Sequence, residues 1–416
     1  MQLAVFEDEF HVNFQPLTLT RPAYMLICGT RTILENILDY LRPEGRIHLF
    51  TRPYLAETVA EKLSGFTVNM PDRIDDEVLL VNGLLLPDPQ LMERISTLER
   101  DAGLVRDGRV LAARLSHQSI QNIIVSDTKS ILKKCAKTVK ASDGRILKHP
   151  WELIDVSPGL ISLGRVGSGV LGDVDQSVRI YGDQGGLYVA EDAVVEYGSV
   201  LDTRSGPIHI GAGTVVKPFS RIEGPVWIGE NCVIESCILK GGTTLGDWCR
   251  VGGEVESSIF QGYTNKRHLG YVGHSYLGEW VNIGAGTNVS NLKNTYGTHR
   301  MIIGGERIDT GRMFLGCFLA DHVKTGIGTL IMGAKRVGVS SHVYGDVMED
   351  VPSYTAYSRS GRAEIQLDSA INTARRMMAR RSVVMTPAYE RMMRTLYELT
   401  RDERMGAGVS SGSFRL

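Results

Sequence analysis

Residues 254–291 read EVESSIFQGYTNKRHLGYVGHSYLGEWVNIGAGTNVSN. Within this stretch Leu277-Gly278 and Ile283-Gly284 place an aliphatic residue and a glycine six positions apart. The same pair recurs at Ile210-Gly211, Ile228-Gly229, Leu245-Gly246, Val251-Gly252, Leu315-Gly316 and Val337-Gly338, and IGAGT at Ile210–Thr214 returns at Ile283–Thr287. Spacings of six and eighteen are the signature of a parallel β-helix. The aliphatic side chain points into a narrow prism, the glycine opens the turn, and coils stack at a strand spacing of about 4.8 Å. Three six-residue faces make one coil, so residues 180–350 hold roughly nine coils, fewer after insertions. The period alone does not give the handedness.

Upstream the pattern changes. Leu3–Phe6, Ile47–Phe50 and Glu77–Val81 read as strands, alternating with helical patterns at Ile33–Leu41, Tyr54–Leu63 and Pro89–Leu98. Alternation of this kind predicts a mostly parallel sheet covered by helices, a Rossmann-like α/β domain over residues 1–155, with ligands outside the carboxyl ends of the strands. Residues 156–179, with Ser-Pro-Gly and Gly-Ser-Gly punctuation, read as a linker. Beyond residue 350, Leu367, Ile371, Ala374, Met377 and Met378 share one helical face, with Arg375, Arg376, Arg380 and Arg381 opposite. Thr386-Pro387 opens a second helix with Met392, Met393, Leu396 and Leu399 inward. Residues 351–416 are thus expected to form helices that cap the open end of the β-helix or meet another subunit, ending in a disordered tail, GAGVSSGSFRL.

Composition narrows the function classes. The chain has 416 residues, enough for two or three domains, and its 46 Lys and Arg balance 47 Asp and Glu. A net charge of −1 gives no global field toward nucleic acid or a membrane surface. No apolar run is long enough to cross a bilayer, and the acidic start MQLAVFEDEF has no signal-type apolar core, so the expected location is the cytoplasm. The six cysteines show neither a CxxC pair nor zinc spacing, which predicts free, mostly buried thiols and no metal centre.

The run Pro16-Leu17-Thr18-Leu19-Thr20-Arg21-Pro22, followed by Gly29 and Ile33-Leu34-Glu35-Asn36, resembles the opening of sugar-phosphate nucleotidylyltransferases. The departures fall on the residues that carry the family's chemistry. Glu7-Asp8-Glu9-Phe10-His11-Val12-Asn13 stands where a glycine-rich phosphate loop should lie, and carboxylates there would repel a triphosphate. The family's catalytic lysine is matched by Ala23 and its metal-binding aspartate by Leu84. Losing both removes the charge stabilisation that phosphoryl transfer depends on, so this domain is expected to be weak or inactive, with Mg²⁺ needed only if it is active. Arg21 is a candidate phosphate ligand there.

The order of KRHLGY (Lys266–Tyr271), GHSYLGEWVNIGAGT (Gly273–Thr287) and Asn291 resembles the acetyltransferase domain of bifunctional N-acetylglucosamine-1-phosphate uridylyltransferase/glucosamine-1-phosphate acetyltransferases, and archaeal two-domain sugar-1-phosphate enzymes. The resemblance implies a left-handed β-helix, a homotrimer with sites between adjacent prisms, and acetyl-CoA as donor. Acyl transfer to an amine needs a base, and imidazole is the side chain best suited to that at neutral pH. His268 matches the family's base, Tyr271 an acceptor-contacting tyrosine, and Asn282 and Asn291 the two asparagines at the amino sugar and acetyl group. Ala285 matches a residue whose backbone meets the acyl donor. Lys266 matches a lysine near the base, shifted by one position, and is a candidate substrate ligand. Lys324 is a candidate for the CoA phosphates, and it, Lys293, His299, Arg300 and Lys335 are candidates for those phosphates or for an anionic acceptor. Lys240 stands for the arginine that holds the acceptor phosphate, while Glu256 stands where the family has a lysine, an exchange expected to weaken phosphate binding.

These residues predict a CoA-dependent acyltransferase acting on an amino sugar phosphate or nucleotide sugar in a sugar-nucleotide or cell-envelope precursor pathway. Two alternatives stand beside it: sugar-1-phosphate nucleotidyl transfer by the first domain, and a sugar-nucleotide-binding protein that has lost both reactions.

Overall fold

The structure, a computed structural model, describes residues 1–120, 125, 127–142, 144–164 and 169–411. It divides into two compact units. The first comprises Met1–Leu26, Arg31–Pro150 and Thr386–Met392, and the second Ile27–Thr30, Trp151–Met385 and Met393–Leu416.

The first unit is built on a seven-stranded sheet in which Gln2–Phe6 lies between Ile47–Phe50 and Val78–Asn82, parallel to both. The sheet is mixed, because Arg109–Leu115 runs antiparallel to Val78–Asn82 and to Ala102–Arg106. Phe6, Phe50, Val78, Leu80, Val110, Ala113, Ile120 and Ile131 form its dry core. The helix Ile33–Leu41 starts where the sequence places it, on a capping box in which Thr32 and Glu35 satisfy each other's backbone donors. Helices Ala56–Lys62 and Pro89–Ser96 occupy the other two expected positions, slightly shortened. Residues 386–392 also pack in this unit, with Thr386 donating to Glu61 at 2.6 Å and Arg391 paired with Glu57.

The second unit is a left-handed parallel β-helix with helices appended. One face is a nine-stranded parallel sheet running from Gly169–Val170 to Arg336–Val337. The second face carries the register column Arg250, Asn265, Asn282, Lys324, His342. The third passes through Glu254–Glu256 to Tyr271–Gly273. It is followed by a parallel sheet of Asn288–Val289, Leu330–Ile331 and Asp346–Val347. All eight aliphatic residues of the repeat, from Ile210 to Val337, are buried. The glycine after each has a steric cause: a Cβ on Gly211 would come within 2.6 Å of the Gly229 carbonyl of the next coil. Between Asn291 and Leu315 the coil is interrupted by a hairpin of Arg300–Ile303 and Glu306–Asp309.

Three expectations are corrected. The stretch read as a linker is largely ordered: Trp151–Leu163 is a helix with Pro158 inside it, and Gly169–Val170 and Asp173–Val174 already belong to β-helix sheets. An interior proline costs a helix about 3 kcal/mol. Burial of Trp151, Leu153, Ile154 and Ile161 offsets that cost. Residues 165–168, within the Gly-Ser-Gly punctuation, lie outside the described residues. The tail is ordered as far as Ser410, which bridges to Ala363 after a third helix, Arg401–Gly406; residues 412–416 are outside the description. On the appended helices Arg381 turns inward to Asn265, and Leu399, expected inside, is 60% exposed.

Among the described residues all six cysteines are free, five of them buried, and no helix is long and apolar enough to cross a membrane.

Candidate functional site

In the first unit, the Glu7-Asp8 segment does not confront a ligand with bare carboxylates. Both side chains are buried and each is paired with an arginine. Glu7 accepts from Arg52 Nε at 2.9 Å and from the Ala23 backbone N–H at 2.8 Å. Arg52 also donates to the carbonyls of Thr18 and Arg21, and Tyr54 donates to that of Leu19. The Pro16–Pro22 loop is therefore clamped from beneath. Asp8 accepts from Arg109 at 2.8 Å and from Asn82 at 2.8 Å, and its other oxygen caps Phe10 N–H. The expected repulsion is thus replaced by a buried ion-pair network that fills the phosphate-loop position. Arg21, the candidate phosphate ligand, is only 3% exposed. Ala23 and Leu84 are buried, and no group of three or more His, Cys, Asp or Glu with metal-binding placement occurs among the described residues. The residues present do not fit a catalytic Mg²⁺.

In the second unit the predicted residues fall into three places. His268 stands exposed in the turn between the second and third faces. That turn is fixed from inside by Lys266, whose buried Nζ donates to the carbonyls of Gly252 at 2.8 Å and His268 at 2.7 Å. Burial lowers the Lys266 pKa to about 8. Lys266 therefore holds the turn that carries His268, in place of the expected contact with substrate. Gly270 closes the turn at φ +129°, where a Cβ would lie 2.1 Å from the Thr287 carbonyl. The next turn below contains Ala285, half-buried, and the two are joined by Gly286 N–H donating to the Leu269 carbonyl at 2.9 Å. Leu269 and, two coils further, Ile327 are 79% and 83% exposed on this corner.

A connected polar network occupies the third face and the corner beyond it. Lys240 Nζ lies 2.6 Å from Glu254 and 3.7 Å from Glu256. The Tyr271 hydroxyl donates to Glu256 Oε2 at 3.0 Å and accepts from Asn291 Nδ2 at 2.8 Å. The same amide nitrogen lies 3.0 Å from His274 Nδ1. Burial lowers the His274 pKa, while Glu256 and Asp155 oppose the shift, so the ring is neutral and Nδ1 accepts. Burial, then the neighbouring Glu256, raises the Tyr271 pKa and keeps the phenol protonated. His274 stacks on Phe314 at 5.4 Å, and His299 Nε2 lies 2.9 Å from the Asn291 carbonyl.

Asn282 and Lys324 lie apart from that network, adjacent in the column of the second face. Lys324 donates to the His322 carbonyl at 2.9 Å, and burial lowers its pKa to about 8. Tyr271 and Asn291 are thus in direct contact, Lys240 joins them through Glu256, and His268 and Ala285 share the neighbouring corner. Among the described residues no side-chain hydrogen bond links Asn282 to either group. His274 and Glu254 are the participants that the sequence motifs do not single out. His274 precedes Asn291 by 17 residues, one coil, so the repeat length itself was the signal.

Residues 3–161 match the family model described as sugar nucleotidyl transferase. The chain is 32% identical over 197 residues to a bifunctional sugar-1-phosphate nucleotidylyltransferase/acetyltransferase of Sulfurisphaera tokodaii, covering 47% of this chain and 43% of that protein. It is 29% identical over 133 residues to the bifunctional protein GlmU of Ruthia magnifica subsp. Calyptogena magnifica, covering 27% and 28%. To the GlmU protein of Azoarcus sp. it is 44% identical over 86 residues, covering 20% and 19%. The chain spans less than half the length of these relatives.

Proposed function

We propose that this chain, which joins a sugar-nucleotidyl-transferase-type domain to a left-handed β-helix, is a CoA-dependent acyltransferase of amino sugars. The acceptor is an amino sugar carried as a phosphate or nucleotide derivative. The observation that carries this is the direct bond from Asn291 to Tyr271, one corner away from an exposed His268 whose turn is pinned by Lys266. Acetyl-CoA, when bound, supplies an acyl group activated as a thioester. The outer corner fits such a chain, because Ala285 sits between Gly284 and Gly286 and leaves the backbone open beside His268. His268 takes the proton from the attacking amine as its nitrogen bonds to the acyl carbon and the C–S bond breaks. Tyr271 and Asn291 orient the acceptor. Asn282 and Lys324, adjacent on the second face, are assigned to the acyl donor, Lys324 to its CoA phosphates.

A homotrimer is proposed with it, because Leu269, Ile327 and Leu330 leave apolar surface on the corner and face flanking His268. The N-terminal domain is proposed to have lost nucleotidyl transfer, on the strength of Ala23, Leu84 and the filled phosphate-loop position. The proposed setting is the cytoplasm.

Thiol release from acetyl-CoA, measured with a panel of amino sugars and their phosphates, tests the assignment. Turnover that falls by about 100-fold or more in His268→Ala is expected from the loss of a general base. No turnover with any acceptor, or an unchanged rate in the variant, removes it. Pyrophosphate release from nucleoside triphosphate, sugar-1-phosphate and Mg²⁺ is expected to stay at background.

A further inference from the structure

If Tyr271 and Asn291 hold the acceptor, the charge and hydrogen-bond polarity around them specify what the acceptor offers. The ammonium of Lys240 is the cation of this group, and it lies between two carboxylates, 2.6 Å from Glu254 and 3.7 Å from Glu256. One positive and two negative charges leave the trio at −1. All three side chains are about one third exposed, so solvent reaches them and a ligand can too.

The donors of Tyr271 and Asn291 are also taken. The Tyr271 O–H points to Glu256 Oε2, and Asn291 Nδ2 serves both the Tyr271 oxygen and His274 Nδ1. Glu256 Oε1 and Asn291 Oδ1 have no protein donor among the described bonds, and both only accept. A phosphate dianion is likewise acceptor-only, so at this position it would meet a net like charge and no free donor from Tyr271 or Asn291. Sugar hydroxyls or an ammonium supply the missing donors.

We infer that the part of the acceptor seated on Glu256, Tyr271 and Asn291 is an unphosphorylated, hydroxyl-bearing portion of the amino sugar, and that any phosphate it carries is bound elsewhere. This rests on the acyltransferase reading for the identity of the site, and it narrows the acceptor class within that reading.

The test measures binding and turnover separately on the full chain. D-glucosamine and D-glucosamine 1-phosphate are titrated calorimetrically into the wild type, Glu256→Gln and Glu256→Lys, and thiol release from acetyl-CoA is followed in the same samples. The wild type is expected to bind glucosamine about tenfold more tightly than the 1-phosphate, the order of effect of one like charge at contact range near a protein surface. Glu256→Gln should narrow the difference and Glu256→Lys should reverse it. Tighter binding of the phosphate by the wild type, a preference unmoved by Glu256→Lys, or binding of neither sugar overturns the inference. Turnover with a preference for the phosphate would overturn it while leaving the acyltransferase standing. The expected binding preference without any thiol release would do the opposite.

Discussion

The carboxamide of Asn291 lies 2.8 Å from the hydroxyl of Tyr271, across 20 residues of chain, and donates to it. The phenol is thereby left with its proton aimed at Glu256, so the three side chains act as one oriented unit. Asn291→Ala breaks both this bond and the one to His274, and leaves Tyr271 and the imidazole each short of a partner. A loss of about 1–3 kcal/mol is the usual consequence. In steady-state kinetics kcat/KM should therefore fall by about 10- to 100-fold, with a smaller drop in the melting temperature. An unchanged kcat/KM would dissociate the network from the reaction.

Lys266 makes a pH-dependent contribution whose sign follows from its burial. Its folded pKa of about 8 lies below the ordinary 10.5, so folding disfavours the charged form. Between about pH 8 and 10.5 the unfolded chain binds more protons, and stability rises with pH across that window. Below pH 8 the full penalty, about 3 kcal/mol, is present. Chemical denaturation of the wild type and Lys266→Met should show this slope in the difference between them. Equal slopes would mean that Lys266 titrates normally. The same variant should lower kcat through the loosened His268 turn.

His274 is held neutral by burial, and its Nδ1 accepts from Asn291. The folded pKa is below the ordinary 6.5, so the stability tied to the neutral ring is present above that value and is lost as pH falls through the folded pKa. Nitrogen-15 NMR should find the Nε2–H tautomer, with a midpoint below 6.5. A doubly protonated ring at pH 7 would contradict the hydrogen-bond assignment.

Arg52 joins Glu7 to the carbonyls of Thr18 and Arg21. Arg52→Ala leaves the Glu7 carboxylate, 1% exposed, without its countercharge. Destabilisation of about 3–5 kcal/mol is expected, because an uncompensated buried charge remains. Calorimetric unfolding of the full chain should register it as an earlier transition. An unchanged profile would show that the ion pair is replaceable by solvent.

The β-helix was legible because its period is local: Ile210-Gly211 and Ile283-Gly284 state both the inward side chain and the backbone contact that excludes a Cβ. The expected positions of the first unit's helices were equally local, down to Thr32 and Glu35 at the start of one of them. What escaped was set by distant partners. Glu7 and Asp8 read as repulsive charges because Arg52 and Arg109 are 45 and 101 residues away. Lys266 read as a substrate ligand because the sequence does not reveal that its ammonium turns inward to two carbonyls. The helix around Pro158 was missed because propensity was weighed without the burial that overrides it. Glu256 was legible only as a departure, because its partner Tyr271 is 15 residues away in the chain.

The central claim is that the corner formed by His268 and Ala285 receives the thioester. A crystal structure of the chain with acetyl-CoA bound tests it most directly. Density for the acetyl thioester beside the His268 imidazole, with the pantetheine along Ala285, is the result this account predicts. Acetyl-CoA bound away from that corner, or no binding at saturating concentration, would contradict it.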